Sequence, residues 1–308
     1  MNATTVLQQW SRERSVLAAV LAPRTVAVAL GPRRSVSGIR WRGAFVVTAA
    51  EALAGRDEVP LVSDRGETRA SVIACDLTTD VAVLRTGDQQ PPEAAGAIPV
   101  AALDPTLEAG AGVIIAGRTP AGALMGFGTV RLAGPAWRSR RGGAIAQRLE
   151  FEAALDGRFE GALVADFAGA VQAMLVPGPR GRLLGIPVQT IQRIVAAVEQ
   201  HGYLPRPYLG LRLQALWLDE ATRSRWGRSS RGLAAVAGVE PESPAEAAGL
   251  APGDLLEAID GVAIDDVEGF AAHLAQSVPG SALELQLRRG GQSRTLQIRV
   301  GEWHRPAR

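Results

Sequence analysis

"VEPESPAEAAGLAPGDLLEAIDG", residues 239–261, packs a strand end, a short helix, a second strand and a tight turn into a few residues. Ser243 offers a hydroxyl to the free N–H groups of a helix start, and Pro244 is pre-set for the first turn. Gly249 supplies the positive φ that ends that helix. Asp260-Gly261 is a hairpin turn pair. Working outward, "VEGFAAHL" (267–274) predicts a further helix, and "PGSALELQLRRGG" (279–291) leads into the last two strands. Upstream, "YLGLRL" (208–213) predicts a strand, and "YLPRP" (203–207) has the two prolines of a linker.

The texture before that linker is different. From Arg24 to about Val176, short apolar runs alternate with Gly and Asp turns: "TVAVAL", "AFVVTAA", "RASVIACD", "VAVLRTG", "GVIIAG", "GTVRLAG", "AVQAMLV". Many short strands at regular spacing predict an all-β barrel or sandwich. "PVQTIQRIVAAVEQHG" predicts a helix with Ile191, Ile194, Val195 and Val198 on one face and Gly202 past its end. "VLQQWSRERSVLAAVLA" near the N-terminus has helical spacing too. The expected divisions are a helical segment over 1–22, a β-rich domain over 23–200, a linker over 201–206 and a last domain over 207–303.

Composition narrows the function classes. The 308 residues include 33 basic side chains, all arginine, against 31 acidic ones, with both signs interspersed. A net charge of +2 without clustering gives no nucleic-acid surface. "WRSRRGG" (137–143) and "RSRWGRSSR" (223–231) are read as solvated loops, with contact to an acidic partner or anionic lipid as the sharper alternative and membrane contact peripheral at most. Cys75 stands alone, which excludes an internal disulfide and a multi-Cys metal site, and it reads as a small buried core residue. No apolar run reaches the ~18 residues needed to span a bilayer, and no signal peptide is evident.

The motifs of 207–303 together resemble a PDZ domain of the kind attached to bacterial HtrA proteases. The resemblance implies that the Tyr208–Leu211 loop, with Leu209 and Gly210, presents backbone N–H groups to a peptide's terminal carboxylate. The strand from Leu211 would offer an open edge, and Leu213, Phe270 and Leu274 would wall the groove with Leu211. An apolar C-terminal ligand residue follows from such a pocket.

Residues of about 20–200 resemble the trypsin-like domain of the same HtrA family. The carriers are "FVVTAAEAL" (45–53), "DLTTDVAVLR" (76–85), "GFGTVRL" (126–132) and "LEFEAALDGRFEGALVADFAGAVQAML" (149–175). The resemblance implies a mostly β fold, a trypsin-like double β-barrel followed by an α+β PDZ domain. The family's mechanism needs a hydroxyl nucleophile, an imidazole base and an orienting carboxylate. Glu51 stands in the imidazole position and Asp80 in the carboxylate position; the nucleophile position falls on Phe159 or on Glu160, depending on the direction of counting. The three histidines are His201, His273 and His304, so residues 1–200 hold no imidazole.

These residues lead to the expectation that the chain is not an enzyme: an inactive homologue of a serine endopeptidase, a pseudoprotease acting as a peptide- or protein-binding scaffold or adaptor. The alternatives are a regulatory subunit of an active HtrA-type protease and a serine-type endopeptidase with unconventional residual activity. No metal or other cofactor is expected. The expected partners are protein C-termini or extended peptides, with a homo-oligomer or an active family paralogue beside them. The expected location, by resemblance, is periplasmic or exported.

Overall fold

Helix α1, Ala3–Leu21, opens the computed structural model, which describes residues 3–53, 55–87 and 107–303. It occupies most of the segment expected to be helical. Leu21 is fully buried in the first core, and Leu17 packs beside it. By contacts the chain divides into two units, Met1–Ser139 with Ala144–Leu204 and Arg140–Gly143 with Pro205–Arg308.

The first unit contains two closed barrels. β1 (Thr25–Gly31), β2 (Arg34–Arg40), β3 (Phe45–Thr48), the one-turn helix α2 (Ala50–Leu53), β4 (Glu58–Ser63), β5 (Gly66–Asp76) and β6 (Val81–Thr86) follow in chain order. The strands close antiparallel as β1-β2-β3-β6-β5-β4. "TVAVAL" is apolar without alternation because β1 is covered on both faces. One face fills the barrel, and the other lies against β7 (Gly112–Thr119) of the second barrel. β8 (Gly122–Gly134), a short ribbon of β9 (Trp137–Arg138) and β10 (Ala144–Ile145), β11 (Arg148–Ala153), β12 (Leu163–Ala165), β13 (Val171–Pro177) and β14 (Leu183–Pro187) complete it. The second barrel closes as β11-β14-β13-β12-β7-β8. The mostly β, double-barrel expectation holds.

α3, Val188–His201, buries Ile191, Ile194, Val195 and Val198 in a core cluster that takes residues from both barrels. Gly202 closes it at φ 81°, its N–H donating to Val198 O at 2.8 Å. The helix takes in His201, the first residue assigned to the linker. Cys75 is only half-buried; its Sγ lies 3.7 Å from Ala50 O, at the edge of the core rather than within it.

The second unit is a sheet with helices. β15 (Pro207–Tyr208), β16 (Leu211–Trp217), α4 (Glu220–Arg225), β17 (Gly232–Val239), α5 (Pro244–Ala247), β18 (Leu255–Ile259), β19 (Val262–Ala263), α6 (Val267–Leu274), β20 (Ala282–Arg289), β21 (Gln292–Arg299) and β22 (Gly301–Glu302) run in that order. The main sheet is β16-β17-β18-β20-β21, so β16 is an edge strand. Ser243 Oγ accepts from Glu246 N at the start of α5, with Pro244 in its first turn. Asp260 and Gly261, both at positive φ, turn β18 into β19, where Ile259 pairs with Val262.

Candidate functional site

In the first unit the chain folds three distant carboxyls together. The "DLTTD" turn is built on Asp76, which accepts from Thr78 N at 2.9 Å and from the Thr79 hydroxyl at 2.7 Å. The turn delivers Asp80 at φ 58°, an uncommon conformation for a side chain other than glycine. Asp80 Oδ1 accepts from Glu51 N at 2.8 Å, in the first turn of α2. Burial pushes the Asp80 carboxyl up to about 6; the nearby Glu51 and Glu160 charges push the same way, while the Glu51 and Ala50 N–H groups pull it down. Glu160 is also raised, first by burial and then by Glu51, against the pull of Arg34.

The two candidate positions lie in different surroundings. Glu160 shares a site with Glu51 and Asp80, whereas Phe159 is 8% exposed and packed in the second barrel's core. Phe159 is a core residue of the second barrel. Its turn, Gly157–Phe159, is capped by Asp156 accepting from Arg158 N. Ser37 holds the loop from behind, a role with no sequence signal. Its hydroxyl is engaged twice, donating to Arg158 O at 3.1 Å and accepting from Arg118 N at 3.0 Å. Among the described residues no group of three or more His, Cys, Asp or Glu is arranged to hold a metal ion. His304 lies outside the described residues.

In the second unit, the Tyr208–Leu211 loop is tied back through its carbonyls. Leu209 O accepts from Ala245 N at 2.9 Å, and Gly210 O accepts from Glu240 N at 2.9 Å. Gly210 sits at φ 78°, and a Cβ there would lie 2.2 Å from Ser243 Cβ, so the approach of the loop to α5 requires glycine. The Tyr208 hydroxyl donates to the Glu240 carboxylate, which pushes the phenol up to about 12, with burial adding to it. Tyr208 and Glu240 thus brace the loop from one side. The N–H groups of Leu209 and Gly210, both buried residues, have no hydrogen-bond acceptor among the described residues.

Beside this loop Leu211, Leu213 and Leu274 are half-buried against the second core, leaving part of each side chain uncovered. Phe270 is a correction: at 3% exposure it belongs to that core and presents no open wall. The spacing of Phe270 and Leu274 marked an apolar helix face without showing which of the two packs inward.

The comparisons with known proteins follow the same two-part division. Residues 36–174 match the trypsin-like peptidase domain family, and residues 207–300 match the PDZ domain family. A protein of Rhizobium meliloti named probable periplasmic serine endoprotease DegP-like is 28% identical over 252 residues, covering 78% of this chain and 47% of that protein. Putative serine protease HhoA of Synechocystis is 26% identical over 278 residues, covering 85% of this chain and 69% of that one. The solved structure of HtrA-type protease AlgW with a decapeptide superposes with a TM-score of 0.67 at 21% identity, covering 95% of this chain and 99% of that one. At that identity it shows the fold. The chain spans about half the length of the DegP-like relatives.

These relatives correct one expectation. The reading of the chain as no enzyme does not stand, because the proteins it resembles over most of its length are named serine endoproteases and serine proteases. What the first unit offers at this site is a partly buried Asp80 carboxyl held by the Glu51 N–H at 2.8 Å, with Glu160 likewise raised by burial. No helix among the described residues is long and apolar enough to cross a membrane.

Proposed function

From the premise that the chain belongs to the HtrA/DegP-type trypsin-like serine protease family with a PDZ domain, we propose that it captures the C-terminal ends of extended peptides through its second unit and serves there as a scaffold or adaptor. The observation that carries this is the loop Tyr208–Leu211: two N–H groups without an internal acceptor stand at the start of an edge strand. A carboxylate satisfies both donors, and the peptide behind it adds as a strand on β16. Leu211, Leu213 and Leu274 offer the terminal side chain an apolar seat. The relatives named periplasmic support a periplasmic or exported site of action. The test is fluorescence anisotropy with matched peptides that carry either a free or an amidated C-terminus. Capture requires binding of the free acid and its loss on amidation; equal binding of both would overturn it.

The carboxyl cluster and the relatives' names favour a second reading, in which the first unit also hydrolyses captured chains. With no imidazole before His201, proton transfer would fall to Glu51, Asp80 and Glu160. Degradation of casein, compared between the wild type and the Glu51→Ala and Asp80→Ala variants, tests this. Cleavage abolished by either change supports it, and the absence of cleavage by the wild type removes it.

A further inference from the structure

Trp217 is 76% exposed, the most open of the large apolar side chains on the described surface. It is the last residue of β16, the strand with a free edge. Side chains alternate along a strand, so Leu211, Leu213, Ala215 and Trp217 share one face. The cross-strand partners locate that face. Ala215 pairs with Ala234 and Leu213 with Val236, both partners lying in the second core. Trp217 pairs with Gly232, and directly opposed residues project to the same side. A Cβ on Gly232 would lie 2.1 Å from the Asp265 carbonyl, just ahead of the Asp266 cap of α6. Trp217 therefore stands on the face that carries α6. The glycine opposite it has no side chain to cover its ring.

From these relations we propose that Trp217 is a specificity-determining residue of the peptide groove: it contacts the side chain six positions before the C-terminal residue of a bound peptide and selects a large apolar or aromatic one there. The inference rests on the capture reading above and names its substrate class, extended segments of at least about seven residues. A peptide whose carboxylate sits at Tyr208–Leu211 runs antiparallel along β16, with its terminal residue beside Leu211. Each step of one residue on β16 is matched by one step back along the peptide. Six steps, or about 20 Å of strand at ~3.3 Å each, bring the peptide to Trp217. An indole is a large, stiff surface that gains from a planar or apolar partner once water is displaced.

The experiment uses the full chain and two pools of ten-residue peptides, randomised at the last three positions. One pool carries tryptophan six positions before the C-terminal residue and the other alanine; each is also made as the C-terminal amide. The inference expects the tryptophan pool to bind about five- to tenfold more tightly than the alanine pool, and Trp217→Ala to abolish that preference. Unchanged thermal unfolding of the variant checks that an exposed site was altered without loss of the fold. Free-acid-dependent binding that is equal for both pools and indifferent to Trp217→Ala overturns the inference and leaves capture standing. Absence of free-acid-dependent binding from both pools overturns capture, and this inference with it.

Discussion

The Ser37 N–H donates to the Glu160 carbonyl at 2.7 Å, joining β2 of the first barrel to the residue that follows the Gly157–Phe159 turn of the second. The same serine receives the Thr48 hydroxyl on its carbonyl at 2.7 Å and donates its own hydroxyl to Arg158 O. One residue thus fixes the loop at Arg158 and at Glu160. These bonds end on loop carbonyls, so the shape of the loop does not depend on which side chains occupy it. Glu160 is placed beside Glu51 and Asp80 by backbone bonding, at the cost of burying carboxyls near one another.

Gly161 reports on that knot. It sits at φ 77°, and a Cβ would lie 2.1 Å from Ser37 O and 2.8 Å from Thr48 Oγ1. Gly161→Ala must move backbone as well as adopt a strained φ. It is expected to cost about 2–4 kcal/mol, read as a lower unfolding midpoint in urea. An unchanged midpoint would show that the loop is not held in this way.

Asp80 makes stability depend on pH with a definite sign. Its carboxyl is raised from 3.8 to about 6, so the folded protein holds the proton more tightly than the unfolded chain does. The resulting stabilisation is complete below the unfolded value and is lost as pH rises through about 6. Asp80→Asn, which can still accept from Glu51 N, removes this dependence. Relative to wild type, the variant should gain roughly 2 kcal/mol between about pH 4 and pH 7.5. Parallel unfolding curves at the two pH values check it.

The local elements were legible because their signals are local. Ser243-Pro244, Gly249, Asp260-Gly261 and Gly202 each act within a few residues, and each does in the structure what its chemistry dictates. The strand-rich pattern alone went no further than a barrel or sandwich, and the two-barrel architecture came with the resemblance carried by the 45–53, 76–85, 126–132 and 149–175 stretches. The carboxyl cluster was only half legible. Glu51 and Asp80 stand in recognisable stretches, but Glu160 belongs to a loop held by Ser37, more than a hundred residues earlier, and nothing local marks that link. Phe270 was expected to wall the groove, whereas Trp217 drew no reading at all. An apolar residue on a helix face reads the same whether it points into the core or along a groove, and an aromatic at a strand end carries no mark of exposure.

Gly210→Ala separates the proposed carboxylate loop from the rest of the second unit. At φ 78° and with Ser243 Cβ 2.2 Å from the new methyl, the loop must swing away from α5. Free-acid peptide binding should fall by at least about tenfold, with a stability loss of about 2–3 kcal/mol. Isothermal titration at a temperature well below the variant's unfolding transition measures the first without interference from the second. Undiminished affinity would place the carboxylate elsewhere.

Arg289 and Asp254 hold the second unit together by charge. The Asp254 side chain is 1% exposed and takes two hydrogen bonds from Arg289, at 2.6 and 2.7 Å, and a third from Ala251 N at 2.9 Å. Burial alone would raise this carboxyl; the Arg289 guanidinium and the Ala251 N–H outweigh it and hold the group below its usual value. The stabilisation is therefore present above the unfolded value and is lost as pH falls through the folded one. Arg289→Met leaves the carboxylate buried without its cation, which should cost about 3 kcal/mol at neutral pH. The cost should shrink on acidification, because a neutral carboxyl no longer needs the cation, and Asp254→Asn in the same background should recover part of it. A penalty that is the same at pH 4 and pH 7.5 would mean that lost packing of the arginine stem, rather than the stranded charge, sets the energy.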